Sequence, residues 1–121
     1  VLVLDEPTAG LDPASRLKLM DRIESFQRES GLTVVLVTHN MGEVARRAGR
    51  VAVLNKGRLV MEGTPREVFS RANELYDFGL DIPEPAKLMH KLREIGKQVR
   101  TDVLTNGEAE EEIAKLLRRE S

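Results

Sequence analysis

The stretch VLVLDEPTAGLD, Val1 to Asp12, decides the fold, because an apolar strand-like run ends here in two carboxylates and a turn. A second continuous apolar run, LTVVLVT, spans residues 32–38. Runs of this kind, rich in β-branched residues and bounded by turn signals, are typical of strands buried on both faces of a parallel sheet. We therefore predict two parallel strands.

A helix with clear ends separates the two runs. Asp12 is suited to cap its N-terminus, Pro13 takes the first helical position, and Gly31 ends it. Its predicted apolar stripe consists of Leu19, Met20, Ile23 and Phe26. A strand, a helical crossover and a second strand make a βαβ unit, so the sequence indicates the α/β class.

Turn and capping signals divide the chain up to residue 78. Asn40 and Glu43 have the spacing of a capping box, and Gly49 is the expected end of the helix that they begin. VAVLN and RLVME flank Lys56-Gly57 and predict a β-hairpin. Three residues mark the start of a further helix: Thr64, Pro65 and Glu67.

The character of the chain changes after residue 78. A Pro-marked connection leads to a helix that ends at Gly96, and a last helix runs from about Thr105 to Arg119. The predicted apolar stripes of these helices are Leu88, Leu92 and Ile95, and then Ala109, Ile113, Leu116 and Leu117. We predict one α/β structure over residues 1–78 and a small helical appendage over residues 79–121.

Composition excludes several classes of site. The 121 residues include no cysteine, so a disulfide or a thiolate metal site is impossible. The charged fraction is 32%, yet the formal net charge is only -1, which lacks the basic excess of a nucleic-acid-binding domain. No apolar run approaches the roughly 18 residues of a membrane span. Because the chain begins with Val inside a strand-like run, we expect it to be a fragment of a longer protein.

The adjacent carboxylates of Asp5 and Glu6 follow the first predicted strand directly. Open α/β sheets bind ligands at the carboxyl ends of their strands. Neighbouring strand residues point to opposite faces, so one carboxylate is placed for a metal-bound phosphate and the other for a nucleophilic water. The alternative is that the two acidic residues only mark the exit from the strand.

His39 follows the second predicted strand, in VTHN. If the two strands are neighbours, His39 and Glu6 lie at the same edge of the sheet. An imidazole there is able to donate to a γ-phosphate oxygen while its other nitrogen orients the carboxylate or water. The alternative is a solvated histidine at a strand end. The second histidine, His90, has no ligand-like neighbour at a clear spacing, and we interpret it as an ordinary helix residue.

Three motifs together resemble the ATP-binding cassette (ABC) ATPases. LVLDEP (2–7) resembles the Walker B segment, AGLD (9–12) the D-loop, and VTHN (37–40) the switch-histidine loop, in the family's order and spacing. Many members carry Asp where this chain has Asn40, although Asn also caps a helix well. The resemblance implies the C-terminal part of a P-loop NTPase cassette with parallel core strands, a β-hairpin and the helical appendage.

The same resemblance implies the roles of the site residues. Asp5 would hold Mg²⁺, largely through water, Glu6 would act as general base, and His39 would contact the γ-phosphate of ATP. Three D-loop residues would lie at the interface with a second ATPase subunit: Gly10, Leu11 and Asp12.

Two family motifs are absent from the chain. It contains no G-x-x-x-x-G-K-[ST] phosphate loop, since EIGKQV (94–99) lacks the first glycine and the hydroxyl residue, and it contains no LSGGQ-like signature segment. Residues 1–78 therefore match only the second half of a cassette, and we expect the isolated chain to be inactive. In the family a phosphate-loop strand lies between the strand ending at His39 and the strand over 51–55. We accordingly expect exposed apolar edges and poor solubility or partial order.

The tail resembles one group within the family. GTPREVF to EIG (63–96) and DVLTNGEAEEEIAKLL (102–117) resemble energy-coupling factor (ECF) transporter ATPases. This implies a subunit, peripheral to the cytoplasmic face of the membrane, that powers uptake of vitamins or transition-metal ions. Its partners would be a second ATPase subunit, a transmembrane coupling protein and a substrate-binding membrane component, with the appendage helping dimerisation and no nucleic acid involved.

Three alternatives remain at this point. The chain could be a non-catalytic dimerisation module, or part of the ATPase of another ABC import system. A cassette ATPase of DNA repair is disfavoured, because the hairpin and GTPREVF are typical of transporter cassettes.

Overall fold

The computed structural model describes residues 1–120, which form two compact units, Val1–His39 and a second that begins at Asn40. The first unit consists of β1 (Leu2–Asp5), α1 (Pro13–Ser30) and β2 (Val34–Val37). The second consists of α2 (Met41–Arg47), β3 (Val51–Asn55), β4 (Arg58–Gly63), α3 (Pro65–Phe69), α4 (Ala72–Asp77), α5 (Glu84–Glu94) and α6 (Asn106–Glu120). The mixed α/β class is as predicted.

The first unit contains the predicted βαβ arrangement. β1 and β2 pair in parallel, from Leu2 opposite Val34 to Asp5 opposite Val37. Burial on both faces was a wrong prediction for this chain, because Val3 is 62% exposed and Val37 48% exposed. Successive side chains point to opposite faces, and one face of this two-stranded sheet is left uncovered by the described residues. A continuous apolar run in the sequence shows that the side chains on both faces of the strand are apolar. It does not show whether other elements pack against both faces.

Helix α1 begins and ends as predicted. The Asp12 carboxylate accepts the N–H of Ser15 at 3.2 Å, Pro13 follows it, and Gly31 closes the helix in the left-handed region with φ 69. Met20 of the predicted stripe is buried, whereas Phe26 is 49% exposed. The stripe was therefore wrong at Phe26, because the residues from 26 to 30 are all exposed.

Helix α2 has the predicted cap but a different end. Asn40 accepts the N–H of Glu43 at 3.1 Å. The helix ends at Arg47, with Ala48 as its C-cap in an extended conformation, so the prediction of Gly49 as its end was wrong. The carboxylate of Glu43 is buried, and Arg46 and Arg47 neutralise it at 2.5 Å and 2.9 Å. This pairing removes the cost of a buried lone charge.

The predicted hairpin forms between β3 and β4, which pair antiparallel. Lys56 and Gly57 make its two-residue turn with φ values of 52 and 76, as a type I′ turn requires. The predicted cap of α3 is also present, since the hydroxyl of Thr64 accepts the N–H of Glu67 at 3.2 Å.

Two apolar clusters form the core of the second unit. The first joins the hairpin to α2, α3, α4 and the start of α5, with these buried residues: Ala45, Val53, Met61, Val68, Phe69, Ala72, Leu75, Ile82 and Ala86. The second joins α5 to α6 through Met89, Val99, Val103, Ala109 and Leu116. Because Ile82 and Ala86 belong to the hairpin cluster, the packing is continuous across the boundary that the sequence suggested between residues 78 and 79.

The buried face of α5 differs from the predicted stripe. Met89 is fully buried and Leu92 partly so, whereas Leu88 is 44% and Ile95 71% exposed. The prediction was wrong because it followed the large aliphatic residues, while the helix packs on the face that carries Ala86 and Met89. On α6, Ala109 and Leu116 are buried as predicted, but the buried Glu112 is on the inner face and Leu117 is exposed. None of the helices within residues 1–120 has the length and apolar character of a membrane span.

Arg66 connects α3 to the N-terminus of α6. Its Nη1 donates to the carbonyl oxygen of Asp102 and its Nη2 to Oε1 of Glu108, both at 2.6 Å. The other carboxylate oxygen of Glu108 accepts the N–H of Leu104 at 2.8 Å. Partial burial alone would raise the pKa of Glu108, but the hydrogen bonds from Arg66 and Leu104 outweigh it and hold that pKa below its usual range.

We expect Arg66→Met to lower the free energy of unfolding by about 1 kcal/mol, since two hydrogen bonds to a half-exposed guanidinium are lost. A carboxyl group whose pKa is lower in the folded protein than in the unfolded chain stabilises the fold at pH values above its unfolded pKa. This stabilisation is lost as the pH falls through the pKa of the folded protein. The variant should therefore lose less stability than the wild type on acidification below the usual Glu range. Urea unfolding at neutral and acidic pH measures both effects. Equal pH dependence of stability in the two proteins would contradict the role of Arg66 in lowering the pKa of Glu108. Arg58→Met on the exposed hairpin is the control.

Candidate active site

The candidate site lies where β1 and β2 end together. The N–H of Glu6 donates to the carbonyl oxygen of Val37 at 2.8 Å, one residue beyond the end of β1. Glu6 then adopts φ 47, in the left-handed region, and its carbonyl accepts the N–H of Ala9 at 3.1 Å. This backbone conformation costs a non-glycine residue about 1–2 kcal/mol. The chain is held in it by hydrogen bonds on both sides of the turn, a feature that clusters at functional sites.

The structure joins Glu6 directly to His39. Oε1 of Glu6 lies 2.6 Å from Nδ1 of His39 and also accepts the backbone N–H of His39 at 3.1 Å. The expectation that both residues lie at one edge of the sheet is thus confirmed. An ionised carboxylate only accepts hydrogen bonds, so Nδ1 carries the proton in this pair. The carboxylate is one-third exposed and the imidazole largely exposed, so both groups remain open to a ligand.

Asp5 is placed differently from Glu6. It is the last residue of β1 and is exposed on the same face as Val3. Within residues 1–120 its carboxylate makes no hydrogen bond or ion pair. The alternation of side chains along the strand does not extend to Glu6, because Glu6 has already left the strand in the left-handed conformation. The two carboxylates therefore differ in environment: one is bound to an imidazole and the other is free.

The predicted interface residues form an exposed turn before α1. Gly10 has φ 80, a value that only glycine adopts readily, and Leu11 is 36% exposed. The carboxylate of Asp12 accepts the hydroxyl of Ser15 at 2.6 Å, and these bonds to Ser15 lower the pKa of Asp12. Among the residues that the structure describes, no hydrogen bond or ion pair links these three residues to Glu6 or His39.

The described residues contain no group of three or more His, Cys, Asp or Glu side chains placed to hold a metal ion. A single free carboxylate such as Asp5 nevertheless suits a hard cation that keeps most of its waters and binds phosphate oxygens. Mg²⁺ is commonly held in this way, by one or two carboxylates together with a phosphate ligand. Asp5 therefore suits Mg²⁺ that arrives bound to a nucleotide. It does not suit an ion whose ligands all come from the protein.

Two features of the site were missed in the sequence. The left-handed backbone at Glu6 has no signal in the residue type, and Pro7 after it favours an extended conformation at Glu6 instead. The backbone N–H of His39 as a second donor to Glu6 depends on how the two strand ends approach each other. Neither is visible before the pairing of β1 with β2 is known.

Comparisons with known proteins agree with the α/β fold. A family model described as "AAA domain, putative AbiEii toxin, Type IV TA system" matches residues 1–45. The energy-coupling factor transporter ATP-binding protein EcfA2 of Clostridioides difficile is 45% identical over 98% of this chain and 41% of its own length. EcfA2 of Symbiobacterium thermophilum is 50% identical over 90% of this chain and 38% of its own length.

A solved structure is also similar. The structure of cbiO1 from Clostridium perfringens, described as part of the ABC transporter complex cbiONQ, matches with a TM-score of 0.53 and 34% identity over 78% of this chain and 34% of that one. The chain thus spans about two-fifths of the length of the curated relatives that it matches. Over nearly its whole length the chain is similar to part of the ATP-binding proteins of energy-coupling factor transporters.

Proposed function

We propose that this chain is the C-terminal part of the ATP-hydrolysing subunit of an ECF-type importer for vitamins or transition-metal ions. The proposal is supported by relatives over nearly the whole chain that are named as energy-coupling factor ATP-binding proteins. The reaction is in-line attack of water on the γ-phosphate of ATP. The observation that carries the chemistry is the contact of Glu6 with His39 at 2.6 Å.

Glu6 is the general base of this proposal. Its carboxylate lies at the carboxyl end of a parallel sheet, where ligands of α/β folds bind. Two donors of His39, one from the ring and one from the backbone, fix Oε1 in position. The second oxygen, Oε2, is then available to orient a water molecule and accept its proton, which contributes about 10²–10⁴-fold to a rate.

His39 is the contact to the γ-phosphate. Nδ1 donates to Glu6, so in a neutral imidazole Nε2 has no proton and only accepts. A bond from Nε2 to a phosphate oxygen together with the bond to Glu6 therefore requires the doubly protonated ring. In this proposal His39 bridges Glu6 and the γ-phosphate.

Asp5 would hold Mg²⁺, largely through water, and its carboxylate is free to do so. When bound, the ion neutralises negative charge on the phosphates. In the proposed parent protein the phosphate loop and signature segment come from outside these 121 residues. The isolated chain is therefore proposed to be inactive.

The partners follow from the same proposal. Two ATPase subunits close on ATP, with Gly10, Leu11 and Asp12 at their interface and residues 79–121 helping them stay together. A transmembrane coupling protein and a substrate-binding membrane component complete the importer, with the ATPase on the cytoplasmic face of the membrane. Hydrolysis returns the pair to the open state because ATP binds the closed dimer better.

The test is His39→Ala in the parent ATPase. Loss of the γ-phosphate contact and of the imidazole hydrogen bond to Glu6 should lower the turnover of ATP by about 10–100-fold, although the backbone N–H of residue 39 still contacts Oε1. ATP affinity should change much less, because the phosphate loop supplies most of it. Steady-state hydrolysis and equilibrium binding of ATP measure the two quantities. His90→Ala is the matched control, because it removes the other histidine from α5. Equal turnover in the His39 variant and the wild type would overturn the proposal.

A further inference from the structure

A second candidate site lies in the C-terminal part of the chain. An open cleft of about 600 Å³ is bounded by the end of α5, the segment after it and one side of α6. Four basic side chains line it, and a single carboxylate, that of Glu112, opposes them. The whole chain has a formal net charge of -1, so this concentration of positive charge is a local feature.

Two of the four cations are already neutralised. Arg100 forms a bidentate pair with Asp102, at 2.9 Å and 3.0 Å. Lys115 lies 3.6 Å from Oε1 of Glu112. Glu112 is itself buried, and its Oε2 accepts the backbone N–H of Arg100 at 3.2 Å. The charges of Arg100 and Lys115 are therefore already compensated, by Asp102 outside the cleft lining and by Glu112 within it.

Arg93 and Arg119 supply the surplus. Nη2 of Arg119 donates to the carbonyl oxygen of Gln98 at 2.6 Å, which orients the guanidinium without neutralising it. The guanidinium of Arg93 has no hydrogen bond or ion pair within residues 1–120. Each arginine is in the last turn of its helix, where the helix end carries roughly half a negative charge. Each helix end thus offsets only part of one cation, and a net positive charge remains in the cleft.

We propose that this cleft binds a small phosphate-bearing anion through Arg93 and Arg119. The planar guanidinium fork matches phosphate oxygens in two-point contacts. The volume is within the range of about 300–1,000 Å³ typical of small-molecule sites. The buried carboxylate of Glu112 repels further anionic groups from its side of the cleft and accepts a hydrogen bond from a ligand hydroxyl. The ligand class is therefore a compact phosphate-bearing anion and not an extended polyanion.

The experiment titrates the 121-residue chain with inorganic pyrophosphate, with amide chemical shifts of residues 93–119 as the readout. We expect saturable shifts around the cleft. Arg93→Gln should weaken the affinity by about fivefold or more, since a charged hydrogen bond is lost. Lys91→Gln is the matched control: it removes the same charge two residues away, from a side chain outside the cleft, and should change the affinity by less than about twofold. Arg119→Gln provides a second variant on the opposite wall.

Three results would overturn the proposal: shifts that do not saturate, Arg93→Gln and Lys91→Gln variants of equal affinity, or citrate that binds as tightly as pyrophosphate. If the 121-residue chain does not stay in solution, calorimetry on the parent ATPase with its nucleotide site saturated with ADP makes the same comparison of variants. There the expected result is pyrophosphate binding that is weakened by Arg93→Gln and unchanged by Lys91→Gln. Absence of such binding would equally overturn it.

Discussion

Replacing Glu6 with glutamine in the proposed parent ATPase should lower the turnover of ATP by about 10²–10⁴-fold, since the proposed general base is removed. Glutamine keeps the size of the side chain and an oxygen that still accepts the backbone N–H of His39, at 3.1 Å in the wild type. The backbone turn at Glu6 should therefore survive. The defect should be in hydrolysis and not in folding.

ATP binding should be retained or become tighter in this variant, because the closed dimer no longer returns to the open state by hydrolysis. Single-turnover hydrolysis, equilibrium ATP binding and the ATP-dependent dimer fraction measure these effects. Glu29→Gln, at an exposed position at the end of α1, is the control for removal of one carboxylate. Wild-type turnover in the Glu6 variant would show that another group accepts the proton.

Met89→Ala should destabilise the protein by about 2–5 kcal/mol, the usual cost of removing a fully buried large side chain. Met89 is 0% exposed and packs between Val99, Val103, Ala109 and Leu116. Its loss leaves a cavity between α5 and α6 that the surrounding backbone fills only in part. Urea unfolding followed by far-UV circular dichroism measures the change.

The matched control is the adjacent residue. Leu88→Ala removes a side chain of similar size that is 44% exposed, so it should cost less than about 1 kcal/mol. The sequence pattern alone makes the opposite prediction, because Leu88 belongs to the apparent apolar stripe and Met89 does not. A larger effect at Leu88 than at Met89 would show that the helix packs on the other face.

Local signals in the sequence predicted the ends of most elements. The caps at Asp12, Asn40 and Thr64 all form, because a cap depends on one side chain and on an N–H three residues away. The turn at Lys56-Gly57 forms for the same reason. These features are encoded within four residues, so reading them needs no knowledge of the tertiary structure.

Burial was predicted less well, because it depends on what covers a face. Val3 and Val37 are as apolar as any core residue, yet they are exposed on one side of a two-stranded sheet. Glu112 is charged and yet buried, since its carboxylate accepts the backbone N–H of Arg100 and lies near the ammonium group of Lys115. Helix α5 buries the face that carries Ala86 and Met89, because that face fits the space between the neighbouring elements.

The candidate site was predicted in part from the sequence. The sequence placed Glu6 and His39 at one edge through the order of strands, and the pairing of β1 with β2 brings them into contact. It did not predict the left-handed backbone at Glu6 or the second donor from His39. Those details depend on the geometry of two strand ends, which residue types do not encode.

In the proposed mechanism, Glu6 and His39 act as one unit in ATP hydrolysis. A double-mutant cycle of Glu6→Gln and His39→Ala in the parent ATPase tests it most directly, with single-turnover hydrolysis as the readout. Because the two side chains share a hydrogen bond at 2.6 Å, the double variant should be no slower than the Glu6 variant, to within about twofold. Independent residues would instead give additive losses, with the double variant about 10–100-fold slower than the Glu6 variant. That additive result would show that Glu6 and His39 act independently.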